Sequence, residues 1–562
     1  IFLKSFIRKD HEVQISGSSG LFVNPARENE MFFNFHESKF TVYGSNVTVD
    51  HLTYHAETVG DRIAVIDDRP EVPVRTINYN SFNTLVNQLT NGILDLGAEL
   101  GSHIAWWGNN SVETLAAMHA IRKAGGVSVP IPYRSTPAEA SYLLGHADAN
   151  ILIIESTYLP VLSSIRGQLP KLQHVIAYGN AEQHSGVLLW EDALGHAQTP
   201  ASEGKSENAL TMIYTSGTTG KPKGAMRRVG GEINQYGTLL EFIGWDKMEE
   251  LIFLTTGPLY HSGPSGFARR AQLVGATIVC QYTFDPEDWL RLVKTHRVTA
   301  TFSAPTPIRR ITALPKETKD KYDVSSMQSM IANAAPWTMA LKKAYLRDFP
   351  PNSLWEIYGS TELSVCTVLA PEDQLRKPGS CGLPSPGVEI QLVDDEGKVI
   401  NQPDTPGELY ARSLALFDTY YKAEEKYLED HLDGFQTVGD IAYKDTDGYF
   451  YICDRKKDMI ITGGVNVYPA EIENVLDEHP QVHEVAVVGI ADEEWGEAVC
   501  AIVVRNGECS AEDLIEFARE HLSGPKTPKV VLFVDELPKT GSGKVLKREL
   551  RDQVDLYIQS EA

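Results

Sequence analysis

From Val47 onward the apolar residues fall into two alternating spacings. Over residues 78–94 they recur near i, i+3, i+4 and i+7, which places them on one face of a helix. Short apolar runs lie beside such stretches. His103-Ile-Ala-Trp-Trp, Val127-Ser-Val-Pro-Ile and Ala149-Asn-Ile-Leu-Ile-Ile are expected as strands, with a helix over 114–124. Strand and helix in alternation predict an α/β chain of layered β-sheets covered by helices. Ala209-Leu-Thr-Met-Ile-Tyr is a further buried strand that delivers a loop, and Thr299-Ala-Thr-Phe-Ser and Gly448-Tyr-Phe-Tyr-Ile-Cys are strand-like.

Near residue 458 the pattern changes. A helix opens over 471–476, strands over 482–490 and 498–504 are joined by a polar connection, Ser510-Ala-Glu-Asp caps another helix, and a strand returns over 530–534. The expected organisation is an N-terminal extension over 1–45, a large domain over 46–454 and a small α+β domain over 458–562, with 455–457 between the two domains. The extension, rich in Phe without a clear period, is expected to dock as an arm.

Length and charge narrow the function classes. A chain of 562 residues exceeds what one core accommodates. The formal charge of −24 disfavours nucleic acid and anionic membranes as partners, since both reward a basic face. A local basic site for a nucleotide is still compatible with it. No window of about 18 uncharged apolar residues occurs, so no transmembrane segment is expected. Ile1-Phe-Leu-Lys-Ser-Phe-Ile is too short for a secretory leader. The six cysteines form neither metal-ligand spacings nor a disulfide framework, which points to a reducing, cytoplasmic setting.

Candidate chemistry concentrates in Tyr214-Thr-Ser-Gly-Thr-Thr-Gly-Lys-Pro-Lys-Gly, which holds three glycines, four Ser/Thr hydroxyls and two lysines. Glycines let backbone N–H groups turn inward as a nest, while hydroxyl and ammonium groups complete a site for phosphate oxygens. Lys221 precedes Pro222 rather than Ser or Thr, so this is not a Walker A loop. Four more segments carry candidate groups: Pro258-Leu-Tyr-His-Ser-Gly, Leu354-Trp-Glu-Ile-Tyr-Gly-Ser-Thr-Glu, Asp433-Gly-Phe-Gln-Thr-Val-Gly-Asp, and Pro538-Lys-Thr-Gly-Ser-Gly-Lys.

In this order and spacing the motifs closely resemble those of the adenylate-forming superfamily, which contains acyl- and aryl-CoA synthetases, the adenylation domains of nonribosomal peptide synthetases, and luciferase. The resemblance implies an AMP-forming acid–thiol ligase with a large domain and a small mobile one. ATP, Mg²⁺ and coenzyme A are the expected cofactors and cosubstrates. It casts Thr215, Ser216, Gly217, Thr218, Thr219 and Lys223 as the phosphate cradle, and Ala334, Ala335 and Pro336 as the small residues along the adenine. Tyr358 stacks on the base beside Gly359, Thr361 bonds phosphate, and Glu362 holds the metal ion through oxygen.

By the same resemblance Asp440 is expected to receive the ribose hydroxyls and Arg455 to reach ribose or phosphate; a carboxylate suits the first role because it accepts two donors at once. The resemblance also implies Lys457 as the hinge, Gly464 as the border of the pantetheine tunnel and Lys544 as the mobile catalytic lysine. His261, Ser303, Ala304 and Gly359 are the implied walls of the acyl pocket. Arg227 and Arg228 depart from the family pattern and are expected to form a solvated face.

Coenzyme A is the expected acceptor and a fatty or other largely apolar acid the expected substrate. An acyl-AMP ligase loading a carrier protein, a non-catalytic nucleotide sensor and a luciferase-like oxygenase are the alternatives. Homo-oligomerisation stays open.

Overall fold

The computed structural model of the chain describes residues 50–180, 185–199, 209–215, 222–228, 239–335, 337–539 and 545–561. The candidate residues Ser216, Gly217, Thr218, Thr219, Pro336 and Lys544, and the extension over 1–45, lie outside the described residues.

Two large sheets organise the first part of the chain. One has eight strands and a parallel centre in which His103–Trp107 lies between Val127–Ile131 and Ile151–Glu155. The other has nine strands, and its centre runs parallel through Ile252–Thr255, Ala300–Ser303, Ser329–Ala332 and Leu354–Ser360. The continuous apolar runs exist because both faces of each sheet are covered.

Successive residues of one strand serve different layers. Ile104 and Trp106 enter the central core together with Phe253, Phe302 and Ile331 of the other sheet, whereas Ala105 and Trp107 face an outer core. Leu254, Val279 and Met330 fill the outer core on the far side. Helices Tyr79–Asp95, Val112–Lys123 and Ser262–Leu273 contribute to the shared layer between the sheets. Their starts are set locally: Asn78 caps the first through Ser81 N (2.9 Å), and Ser111 caps the second through Thr114 N (3.2 Å).

A five-stranded antiparallel sheet follows, built on Gly407–Arg412, Phe435–Lys444 and Phe450–Arg455. After Arg455 the chain turns, with Asp458 N and Met459 N both donating to the Arg455 carbonyl. The small domain then forms a second five-stranded sheet. Val487, Val499 and Val503 face one of its cores, and Val488, Cys500 and Ile502 face the other. Ser510 and Asp513 form the expected capping box of helix Ala511–His521. Arg309 of the large domain reaches Asp477 (3.0 Å) and the His483 carbonyl (3.0 Å) in the small one. Among the described residues no helix is long and apolar enough to cross a membrane.

Candidate active site

The candidate residues gather where strands Ala300–Ser303, Ser329–Ala332 and Leu354–Ser360 end, the usual ligand position in a parallel sheet. Strands Leu210–Thr215 and Lys223–Arg228 pair antiparallel beside them, with Thr215 opposite Lys223. That register closes the connection carrying the predicted phosphate loop. Helix Pro137–His146 holds both of its ends. The Tyr142 hydroxyl donates to the Pro222 carbonyl (2.9 Å), and the Tyr214 hydroxyl meets His146 Nδ1 (2.8 Å). Burial raises the pKa of Tyr214 and lowers that of His146, so a neutral phenol faces a neutral imidazole.

Glu362, 8% exposed, sits at the turn after strand Leu354–Ser360. Its Oε1 accepts from the Thr215 hydroxyl (3.1 Å) and from the Tyr420 hydroxyl (3.0 Å). Burial and then the charge of Glu362 push the Tyr420 pKa up, which keeps that phenol a donor. Lys223 Nζ lies 5.6 Å from the centre of the Tyr420 ring. Thr361 Oγ1 and Ser262 Oγ exchange a hydrogen bond (2.8 Å), which ties the turn to the start of helix Ser262–Leu273.

Arg227 does not form the expected solvated face. Strand pairing carries it inward, and its guanidinium donates to the Thr361 carbonyl. Arg228 lies against Asp418 instead: its backbone N–H donates to Oδ2 at 2.8 Å, and its guanidinium is 3.9 Å from Oδ1.

A second group forms around Asp440, which is 7% exposed. Cross-strand register puts it opposite Arg455, whose Nε is 3.3 Å from Oδ1. The Tyr358 hydroxyl donates to Oδ2 (2.6 Å). Burial, followed by the Asp440 charge, raises the Tyr358 pKa well above the usual phenol range. For Arg455 burial opposes the charge, but the carboxylates of Asp440 and Glu362 outweigh it and raise its pKa. The two carboxylates are therefore linked electrostatically through one guanidinium.

Gly359 has no room for a side chain, since a Cβ would fall 1.9 Å from the Ser364 carbonyl oxygen. Ala334 adopts a left-handed backbone (φ 77°), an uncommon state for a residue with a Cβ, and follows Asn333, which donates to the Ile357 carbonyl at 2.8 Å. Ala335 is half-buried beside it. His261 is the residue before helix Ser262–Leu273, its ring 4.2 Å from that of Tyr260. The fully buried Ser303 hydroxyl donates to the Ala304 carbonyl (2.9 Å), while Ala304 is half-buried.

Lys457 is exposed at the turn between the domains. Its pKa is lowered, first by desolvation and then by Lys426 and Lys223, so these cations share one region. Gly463 and Gly464 form a two-residue hairpin turn with φ of 56° and 78°. A Cβ on Gly464 would meet nothing within 4 Å, so the left-handed turn itself accounts for that glycine. The contributors not anticipated from the sequence are Tyr142, His146, Ser262, Arg227 and Tyr420. Each is isolated along the chain from the group it touches; Ser262 at least lies in the Pro258-Leu-Tyr-His-Ser-Gly segment, and Arg227 is a charge where the family motif has none.

The AMP-binding enzyme family matches residues 52–421, and the AMP-binding enzyme C-terminal domain matches residues 471–544. The chain is 32% identical over 500 residues to an indoleacetate–CoA ligase of Aromatoleum aromaticum, covering 86% of this chain and 94% of that protein. It is 31% identical over 496 residues to a long-chain-fatty-acid–CoA ligase of Mycobacterium tuberculosis, covering 87% and 95%. The crystal structure of an anthranilate–CoA ligase in complex with anthranoyl-AMP superposes with a TM-score of 0.81 at 26% identity, covering 91% of this chain and 98% of that one. Matched over most of its length in both domains, the chain belongs to the AMP-binding enzyme family, among its adenylate-forming acid–thiol ligases.

Proposed function

We propose that the chain joins a largely apolar carboxylic acid, fatty or aromatic, to coenzyme A through an acyl-adenylate, at the expense of ATP. The observation that carries this is the convergence of Glu362, Thr361, Tyr358, Asp440 and Arg455 on one strand end beside the Thr215–Lys223 connection. The relatives support CoA ligation as the shared reaction while differing in the acid they are named for.

In the first step a carboxylate oxygen attacks the α-phosphorus of ATP, the bond to the β-phosphate oxygen breaks, and pyrophosphate leaves. A carboxylate is a weak nucleophile, so the protein acts by alignment and charge neutralisation rather than by a protein base. Asp440 receives the ribose hydroxyls and Arg455 holds its carboxylate in place. The Tyr358 ring lies along the adenine, with the small side chains of Ala334 and Ala335 allowing close approach. Lys223 and the phosphate loop receive the departing phosphates, and Lys544 bridges the acid and the α-phosphate.

Among the described residues Glu362 Oε1 takes both hydroxyl donors, none donates to Oε2, and no group of three metal-ligating side chains occurs. A single available carboxylate oxygen fits Mg²⁺, which is held by one or two carboxylates together with substrate phosphates. When bound there, the ion would neutralise phosphate charge.

In the second step the CoA sulfur attacks the activated carbonyl, the bond from that carbonyl to the phosphate oxygen breaks, and AMP leaves. Rotation of the small domain about 455–457 would withdraw Lys544 and bring the Gly463–Gly464 turn toward the thiol. The test is mass detection of CoA thioesters after incubation with ATP, Mg²⁺, CoA and a panel of aliphatic and aromatic acids. A thioester with equimolar AMP is the expected result; AMP formation without thioester would exclude CoA as acceptor.

A further inference from the structure

Strand Ala300–Ser303 ends at the site, and its residues alternate between the faces of the nine-stranded sheet. Thr301 faces the outer layer, where its hydroxyl meets that of Thr256 (2.7 Å). Phe302 faces the central layer at 4% exposure, its ring stacked on Phe267 of helix Ser262–Leu273 with centroids 5.4 Å apart and planes at 23°.

The tip of the Phe302 ring is seated on Gly263. A Cβ at Gly263 would fall 2.3 Å from Cζ and within 3.0 Å of both neighbouring ring carbons. Gly263 is not left-handed, and glycine inside a helix costs stability relative to alanine, so the ring and not the backbone demands it. The two residues are a matched large and small pair.

The position of this pair gives it a function. Gly263 follows Ser262, whose hydroxyl is bonded to Thr361, and a step between neighbouring Cα atoms is only about 3.8 Å. The ring therefore packs between the helix start and the strand end, close to the turn that carries Thr361. Behind it Phe267, Ile331 and Ile357 belong to one buried core, so an acid extending in that direction would have to displace packed side chains.

We propose that Phe302, seated on Gly263, is the floor of the acid pocket and restricts the enzyme to compact acids, short aliphatic or single-ring, at the expense of long fatty chains. This rests on the ligase function proposed above. It selects among acids and leaves the chemistry unchanged.

The experiment uses hydrolytically stable sulfamoyl analogues of acetyl-, benzoyl-, octanoyl- and dodecanoyl-adenylate, titrated calorimetrically into the full chain. Wild type is expected to bind the compact analogues at least about tenfold more tightly than the dodecanoyl one, the smaller end of what pocket shape supplies. Phe302→Ala should narrow that ratio by about tenfold through gain of the long analogue, and Phe302→Leu should extend tolerance only as far as octanoyl. Circular dichroism melts accompany each variant, and Phe302→Leu decides if Phe302→Ala does not fold. Equal affinity of wild type for the benzoyl and dodecanoyl analogues, or an unchanged ratio in a folded variant, overturns the proposed floor while the ligase function stands. Failure of folded wild type to bind AMP and every analogue overturns the ligase function, and the floor with it.

Discussion

Around Glu362 and Asp440 the candidate site is held by directed hydrogen bonds and ion pairs, whereas Phe302 and Gly263, the proposed floor, meet by apolar contact. The first arrangement depends on which groups are present and the second on how much volume they fill. A nucleotide is the same molecule in every turnover, so fixed donors and acceptors suit it. An acid is discriminated by shape, and a hydrophobic wall does this with modest energies.

Substitutions should separate the two ends. The largest effect is expected from Glu362→Gln, which removes the carboxylate charge while preserving size. Acid-dependent turnover should fall by about 10²–10³-fold, as when one preorganised electrostatic contact is removed, with the ranking of acids unchanged. Asp440→Asn should act mainly on the KM for ATP. Charge-assisted hydrogen bonds contribute about 1.5–3 kcal/mol, so an increase of about 10–100-fold is expected in steady-state titration. If either variant reordered the acid panel, the two ends would not be separable.

Arg227→Leu should be milder. It removes the guanidinium that holds the Thr361 carbonyl, and about 1 kcal/mol would raise the KM for ATP about fivefold. Arg227→Lys, which keeps a donor, should recover part of that loss.

The smallest effect comes from a region remote from both ends. His119 is 1% exposed, its Nε2 lies 2.7 Å from Gln272 Oε1, and its ring is 5.4 Å from that of His51. Burial first, then the Arg122 charge, depress its pKa from 6.5 to about 3. The folded state thus resists protonation that the unfolded chain accepts. The stability involved is complete above pH 6.5 and is lost progressively as pH falls toward about 3. Melting temperature should decline below neutrality, and His119→Gln should flatten that slope without altering acid preference.

The same contrast explains what the sequence made legible. The strands at 103, 127, 210 and 482 and the helix at 79 were readable because apolar period and cap residues are local signals. Tyr358, Glu362, Asp440 and Arg455 stand out in the sequence because each sits in a short motif, and the structure brings Tyr358 and Arg455 to the Asp440 carboxylate. Tyr420 was invisible, since its bond to Glu362 spans 58 residues of chain. Phe302 and Gly263 looked like an ordinary strand residue and an ordinary loop glycine. Their pairing depends on how helix Ser262–Leu273 packs over the sheet, which no local pattern encodes. Arg227, a charge where the family pattern has none, is expected on a solvated face, and strand register turns it inward.

The most direct measurement is ATP–pyrophosphate exchange without CoA, with benzoate or dodecanoate as the acid, for wild type and Glu362→Gln. Exchange that requires the acid, is faster with benzoate, and falls by about 10²–10³-fold in Glu362→Gln is the predicted result. Exchange that proceeds without any acid, or that Glu362→Gln leaves undiminished, would contradict adenylate formation at this site.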